Sequence, residues 1–239
     1  MLSFSDRVQL SAHHHGAAEL VIALDRPFAT VLKDGRTLTS GSLLIPAGVQ
    51  HQNTYADATS AVFYFDSEGR DHRRLVGAMT PDESGVYQGL PCERRVRETL
   101  ICVAGDLPDS QTTDQWVETA LFGSNPPIHK SIEPRIAKVT AMIKSDYSQN
   151  FSVSDLADAV HMSHSRLLHL FSEQVGIPIR KYRAWLRVKR ASQLYLQGHS
   201  FTHAAHATGF SDASHFTKTF QKLFGTQPRK LLSRGCVIF

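Results

Sequence analysis

The sequence predicts an α+β chain of two units, a small β-rich unit followed by an all-helical one, and three observations carry this. Short β runs separated by turn residues fill residues 19–65. In the last hundred or so residues one helical pattern occurs twice, with Phe171 and Phe220 49 residues apart and Gly176 and Gly225 likewise. Charge divides the chain in the same way. Residues 1–129 hold 10 Lys+Arg against 16 Asp+Glu and residues 130–239 hold 16 against 6, so the two halves carry −6 and +10 beneath a net +4. A basic half beside an acidic one fits a nucleic-acid binder joined to a unit that does not compete for phosphates. A solvated helical surface rich in Lys and Arg gives the same charge count.

In the first half, Leu20–Leu24, Ala29–Leu32, Leu43–Pro46 and Ala61–Phe65 read as strands, with Lys33-Asp34-Gly35 as a turn. Strands so closely spaced imply a small sandwich or barrel. Beyond them, 94–103 and 113–122 have helical spacing, with Val96, Leu100 and Val103 on one face and Trp116, Ala120 and Leu121 on another. This helical pair either covers the barrel or forms a dimer interface. Asn125-Pro126-Pro127 interrupts the chain, which sets the units at 1–124 and 130–239 with the boundary between 123 and 130.

In the second half, 132–145 is amphipathic through Ile136, Val139, Met142 and Ile143. Ser152-Val153-Ser154-Asp155 has the form of a capping box and starts a helix that places Leu156, Ala157 and Val160 inside. Ser163 caps the next helix, whose inner face is Leu167, Leu170 and Phe171. Pro178 suits a first helical turn, and from there the pattern runs unbroken to Gly198, about 20 residues or ~30 Å. Successive major-groove faces of DNA lie ~34 Å apart, so a stiff connector of this length can hold two reading helices in adjacent grooves. Ser200 caps a further short helix, and Gly209 supplies a tight, positive-φ turn into the second reading helix. Trp185, Tyr182, Leu194 and Phe224 fall at core spacing. Arg180, Lys181, Arg183, Arg187, Lys189 and Arg190 read mostly as the wet face of the connecting helix, with one or two near phosphate.

Gly209-Phe210-Ser211-Asp212-Ala213-Ser214-His215-Phe216, then Phe220 to Gly225, and Pro228 resemble the C-terminal signature of the AraC/XylS family of bacterial transcription regulators. The resemblance covers roughly residues 130–232. It implies a double helix-turn-helix domain in which the first reading helix meets bases through Ser165, Arg166, Leu168 and His169. The second would do so through Ala213, Ser214, Thr217 and Lys218, with Gln221 near the backbone. The family usually carries Arg at the positions of His169 and Lys218, so bidentate guanine readout is lost at both. Promoter DNA, RNA polymerase, a small-molecule effector and a homodimeric partner are the implied associates, and activation the implied sign of regulation.

Gly41 to His51, with its Pro46-Ala47-Gly48-Val49-Gln50-His51 core, resembles the second motif of the cupin superfamily, and His13-His14-His15-Gly16-Ala17-Ala18-Glu19 resembles the first. The first unit is therefore expected to be a cupin-like β-barrel with accessory helices. In metal-binding cupins the corresponding positions, here His13, His15, Glu19 and His51, converge on one divalent ion, and three imidazoles with one carboxylate suit iron, zinc, manganese or nickel. Two positions depart from the pattern: Arg26 stands where a glycine is expected, and the asparagine after the last histidine is displaced to Asn53. The alternatives are histidines that line an organic-ligand pocket or face water. No cofactor is required by the regulator reading. A metal-dependent cupin enzyme with a helical appendage is the rival of a different class, and no serine lies in a nucleophile-elbow context.

Cys92, Cys102 and Cys236 are odd in number and lack CxxC spacing, which suggests neither a disulfide framework nor a thiolate zinc site. Met1–Arg7 lacks a basic stretch leading into an apolar run, and no segment approaches the ~18 apolar residues of a membrane span. A cytoplasmic protein without a membrane partner is the expectation.

Overall fold

Every residue of the strand Ala18–Ala23 is buried, which a strand achieves only when both its faces are covered. The structure, a computed structural model, describes residues 2–6, 10–55, 58–106, 110–123, 132–145, 151–232 and 237–238. Within them the first half contains β1 (Leu2–Asp6), β2 (Ala18–Ala23), β3 (Phe28–Leu32), β4 (Thr37–Ser40), β5 (Ser42–Ile45), β6 (His51–Thr54) and β7 (Thr59–Phe65). There follow α1 (Arg70–Ala78), β8 (Thr80–Pro81), β9 (Tyr87–Gln88), α2 (Glu93–Asp106) and α3 (Ser110–Phe122). The second half holds α4 (Pro134–Ser145), α5 (Val153–Ala159), α6 (His164–Val175), α7 (Ile179–Leu196), α8 (Phe201–Ala207), α9 (Ala213–Phe224) and α10 (Pro228–Leu232), then β10 (Val237–Ile238).

The strands form a seven-stranded sheet ordered β10-β1-β7-β2-β5-β9-β8 and a three-stranded sheet ordered β4-β3-β6. Alternation along β2 gives each face its own core. Leu20 and Ile22 join Leu44, Ala61 and Phe63 under the helices, packed with Leu75, Val96, Leu100, Ala120 and Leu121. Val21 and Ala23 point the other way with Ile45, Val62 and Tyr64, into a second cluster that also takes in Phe28 and Leu32 of β3. A paired strand such as β7 reads clearly in sequence because five of its seven residues are fully buried.

The expected barrel is not closed. The two sheets meet through the isolated bridge His13↔His51, and β4 is an edge strand with alternating exposed positions. Beside that bridge, Trp185 and Phe224 of the helical half pack against His15. The helical pair expected from spacing is present and covers the larger sheet, with Val96, Leu100 and Val103 fully buried. Trp116 departs from expectation. It is 43% exposed, because α3 turns Val117, Ala120 and Leu121 inward instead. Strands β1, β4, β6, β8, β9 and β10 and helix α1 had no clear sequence signal, and β10 returns to pair antiparallel with β1.

The helical half follows its caps. Ser152 and Asp155 form the reciprocal capping box on α5, worth about 1 kcal/mol by comparison with an alanine cap. Ser163 and Ser200 cap α6 and α8, and Pro178 precedes α7, which at 18 residues is about 27 Å long. Gly176, Gly209 and Gly225 all have positive φ. Tyr182, Trp185 and Phe224 are buried as core residues. Gly123 excepted, the boundary expected between 123 and 130 lies outside the described residues, as does Cys236.

The two halves share one apolar cluster, which runs from Val21, Ile45 and Tyr64 to Trp185, Phe220 and Phe224. A polar clasp adds to it: Lys144 of α4 reaches Asp66 and Glu68 after β7, each at 2.8 Å, and the Tyr182 hydroxyl donates to Glu68.

Candidate functional site

Two surfaces with chemical potential emerge, one on α6 and α9 and one buried between the sheets and α7. Helix α6 starts where the Ser163 hydroxyl accepts the Arg166 amide at 3.3 Å. Leu167, Leu170, Phe171 and Val175 take the inner face, and the helix stops at Gly176 in the left-handed region. That leaves Ser165, Arg166, Leu168 and His169 together on the exposed face. Leu168 is 42% exposed. The His169 ring lies 3.9 Å from Glu173 one turn on.

Helix α9 repeats the plan. The Asp212 carboxylate accepts the His215 amide at 2.7 Å, a backbone bond that, with the Ser211 hydroxyl, holds the Asp212 carboxyl below its ordinary range. Phe216, Phe220, Leu223 and Phe224 face inward, and Gly225 ends the helix. Ala213, Ser214, Thr217, Lys218 and Gln221 line one surface depression of about 560 Å³, bordered by Arg229. All nine residues assigned to the two reading helices thus fall on the outward faces, four on α6 and five on α9. Sequence reasoning missed a cleft within the helical half, between its two helix-turn-helix repeats. There Leu168 and Phe210 adjoin Arg180, Arg183, Arg187 and Lys222 around about 560 Å³. Those arginines had read mostly as the wet face of a helix, with one or two near phosphate, and their spacing alone could not show Phe210 and Lys222 of the second repeat lying beside them.

The second surface is the histidine cluster. Strand pairing at His13↔His51 and the buried β2 bring His13, His15, Glu19 and His51 together, each no more than 2% exposed. One ligand atom from each lies within 4.8 Å of all the others. The alternative of water-facing histidines is therefore set aside for these three, whereas His14 is only partly buried. The Nδ1 atoms of His13 and His51 donate to the carbonyls of Ser11 and Val49 at 2.7 and 3.0 Å. Inside the cluster His13 Nε2 lies 3.1 Å from His15 Nε2, His15 Nε2 lies 3.3 Å from Glu19 Oε1, and His51 Nε2 lies 2.8 Å from Glu19 Oε2. Around Glu19, Tyr64 donates to Oε1 and Asn53 to Oε2, both at 3.3 Å, and the Thr30 hydroxyl holds Asn53 Oδ1 at 2.7 Å.

Burial, then the charges of His15 and His51, pushes His13 down to about 3. Burial likewise lowers His15 against the pull of Glu19. Burial alone would raise Glu19, yet His15 and His51 hold it well below the carboxylate range, and Glu19 in turn raises His51 against its burial. Burial followed by the Glu19 charge pushes the Tyr64 hydroxyl well up.

The helical half covers this cluster. The His15 ring lies 5.3 Å from Phe224 and 6.2 Å from Trp185, both edge-on, and Tyr64 packs 5.5 Å from each. Gly16 lies directly against the Trp185 side chain, with no room for a Cβ. Trp185 and Phe224 had no sequence signal as neighbours of His15, because the contacts span two units of the chain.

Two capped helix-turn-helix units on one connecting helix, joined to a two-sheet domain, define a double helix-turn-helix module with a second domain docked on it. A family described as a helix-turn-helix domain matches residues 156–234. The chain is 31% identical over 104 residues to the Msm operon regulatory protein of Streptococcus mutans, covering 43% of this chain and 37% of that one. It is 30% identical over 118 residues to the arabinose operon regulatory protein of Escherichia coli, covering 47% and 39%. A longer match, 25% over 247 residues, reaches the transcriptional activator RhaS of Yersinia pestis and covers 93% of this chain and 89% of that one. The matched region thus spans less than two fifths of the length of the first two relatives. An apo ToxT variant from Vibrio cholerae superposes with a TM-score of 0.67 over 98% of this chain and 96% of its own, at 13% identity, so the whole two-part fold is shared. The chain thus carries a helix-turn-helix domain at residues 156–234 and is similar to the operon regulators and the activator named above.

Proposed function

We propose that this chain is a sequence-specific DNA-binding transcription regulator, an activator, whose sheet domain senses a small effector and governs the reading domain docked on it. The carrying observation is the pair α6 and α9, each capped by a short polar side chain, each with an outward face free of core residues, and joined by one continuous α7. At about 27 Å, α7 approaches the ~34 Å that separates successive turns of a major groove. Arg166 and Lys218 supply the charge on the two faces, Lys218 as a point charge toward phosphate or guanine and His169 as a single hydrogen-bonding group. Leu168, Ser165, Ala213 and Ser214 suit thymine methyls and water-mediated contacts, Thr217 reaches a base edge, and Gln221 approaches the backbone.

Promoter DNA and RNA polymerase are the partners of this reading. A homodimer would use the outer side of α2 and α3, where Ile101 is 50% and Trp116 43% exposed. A cytoplasmic location agrees with it, and among the described residues no helix is long and apolar enough to cross a membrane.

The rival reading, a metal-dependent enzyme, draws on the same histidine cluster. Against it, the similar proteins named above are regulators, and Trp185 and Phe224 cover the cluster where a substrate would approach. Recovery of genomic fragments bound by the purified protein, at fixed salt and with nonspecific competitor, tests the proposal. A shared motif of two elements about one helical turn apart is the expected result. No enrichment, with or without cell extract as a source of effector, would overturn it.

A further inference from the structure

We propose that the sheet domain sets the separation of the two reading helices, so that Ser11, Gly16, Gly48 and Gly225 determine which spacing of two DNA half-elements the chain accepts. The inference rests on the regulator reading above and assigns it a set of specificity-determining residues far from the bases.

Within the helical half the separation of α6 and α9 is set only through side chains. On the outward side, Leu168 of α6 and Thr219 and Lys222 of α9 border a cleft of about 560 Å³. Each helix is carried by α7 instead, with Phe171 meeting Tyr182 at 5.5 Å and Phe224 meeting Trp185 at 5.6 Å between ring centroids. Packing of this kind permits shear of about 1–2 Å between helices.

The sheet domain adds contacts at the inner ends of both helices. Gly176 and Gly225, equivalent points of the repeat, end α6 and α9. The Ser11 amide donates to the Gly225 carbonyl at 3.0 Å, and a Cβ at Gly225 would collide with the Ser11 carbonyl. At the end of α6, a Cβ at Gly48 would stand 2.9 Å from Ile177 Cγ2 and 3.4 Å from the Gly176 carbonyl. Between these two points Gly16 lies against Trp185 of α7, again without room for a Cβ. The segments that make the contacts are one bonded piece. His13 and His51 exchange both backbone hydrogen bonds at 2.9 Å, and the Gly48 amide donates to the His15 carbonyl at 2.9 Å. The distance from the Gly176 contact to the Gly225 contact is therefore fixed by hydrogen-bonded backbone, and a close-packed interior yields little around it.

DNA turns this stiffness into discrimination. One base pair more between two half-elements moves the second by ~3.4 Å along the axis and, at about 10–10.5 base pairs per turn, rotates it by roughly 35°. Helices free to shear on α7 take up part of that displacement, and the DNA deforms for the remainder. With both helix ends tied to the sheets the DNA must deform for all of it, and the altered site binds more weakly.

The test uses the full chain and a recovered DNA fragment whose two half-elements are moved apart or together by one base pair. The wild type is expected to lose about tenfold or more in affinity at either altered spacing. Ser11→Pro removes the amide that bonds the Gly225 carbonyl, and Gly48→Ala strains a backbone at φ 83 and presses on Ile177. Each should reduce the loss to about threefold or less, while the penalty for a mismatch inside one half-element stays as in the wild type. A variant that is merely less stable binds every fragment less well and leaves the ratio between spacings unchanged. Thermal melts followed by circular dichroism check folding, and should Ser11→Pro fail to fold, Gly48→Ala carries the comparison. A wild type indifferent to spacing, or folded variants as strict as the wild type, would overturn the role of the sheet domain and leave the regulator reading in place. No binding of any fragment by the wild type would overturn that reading and this inference with it.

Discussion

The amide of Ser11 donates to the carbonyl of Gly225 over 3.0 Å, which ties the end of the second reading helix to the segment that carries His13. The approach is close on both sides. A Cβ at Gly225 would run into the Ser11 carbonyl and come within 2.8 Å of His13 Nδ1. This glycine is thus needed twice, for its backbone at φ 66 and for the space it leaves to the sheet domain. Its counterpart 49 residues earlier, Gly176, has φ 83 and lies against Ala47, where a Cβ would find its nearest neighbour at an ordinary 3.6 Å.

That difference separates two substitutions of the same kind. Gly176→Ala should cost only the strain of a left-handed alanine, about 1 kcal/mol. Gly225→Ala adds the collision with Ser11 and His13 and should cost about 2–4 kcal/mol, since packed backbone yields little. Denaturant midpoints of the two variants check this, and equal losses would show that the Ser11 contact is not maintained in solution.

Replacing Lys218 by Ala removes a cation from the outward face of α9 and should weaken DNA binding by about 1 kcal/mol or more while lowering the salt slope by about one ion. His169→Ala should cost less in affinity and act on sequence preference, since a single imidazole bond replaces a bidentate one. Binding titrations at several salt concentrations against matched and mismatched fragments distinguish the two roles. Unchanged affinity and preference in both variants would remove these residues from the interface.

The helical half was legible because its signals are local. Ser152, Ser163, Ser200 and Asp212 each act on an amide three residues on, and Gly176, Gly209 and Gly225 mark their turns by their own backbone needs. The convergence of His13, His15, Glu19 and His51 was visible only through a motif resemblance, because the pairing that creates it, His13 with His51, joins residues separated by four strands. What stayed hidden is what lies across the halves. Trp185 and Phe224 read as core and are core, but no periodicity says that their core is His15 and Tyr64. Closure of the barrel was likewise misjudged, since strand spacing does not reveal that the strands divide into two sheets of seven and three. Trp116 was placed inward because a helix with two apolar stripes leaves the choice to its neighbours.

The clasp of Lys144, Asp66 and Glu68 gives the docking of the halves a pH dependence. Burial raises the Asp66 carboxyl, but Lys189 and Lys144 outweigh it and hold it below its ordinary value. Lys144 is raised, its own burial being outweighed by Asp66 and Glu68. A carboxyl depressed in the folded state contributes stability above its unfolded value of about 3.9 and loses it as pH falls through the folded value. An ammonium raised in the folded state contributes fully below about 10.4 and loses it as pH rises through the folded value. Between those limits Lys144→Met should lower stability by about 1 kcal/mol, a modest figure because the Lys144 side chain is 36% exposed and screened. The difference between wild type and variant, followed by urea denaturation, should shrink as pH falls from the unfolded carboxyl value of about 3.9 through the lower folded value of Asp66. A difference that stays the same from pH 7 to pH 3 would show that the lysine stem, packed against its neighbours, matters and its charge does not.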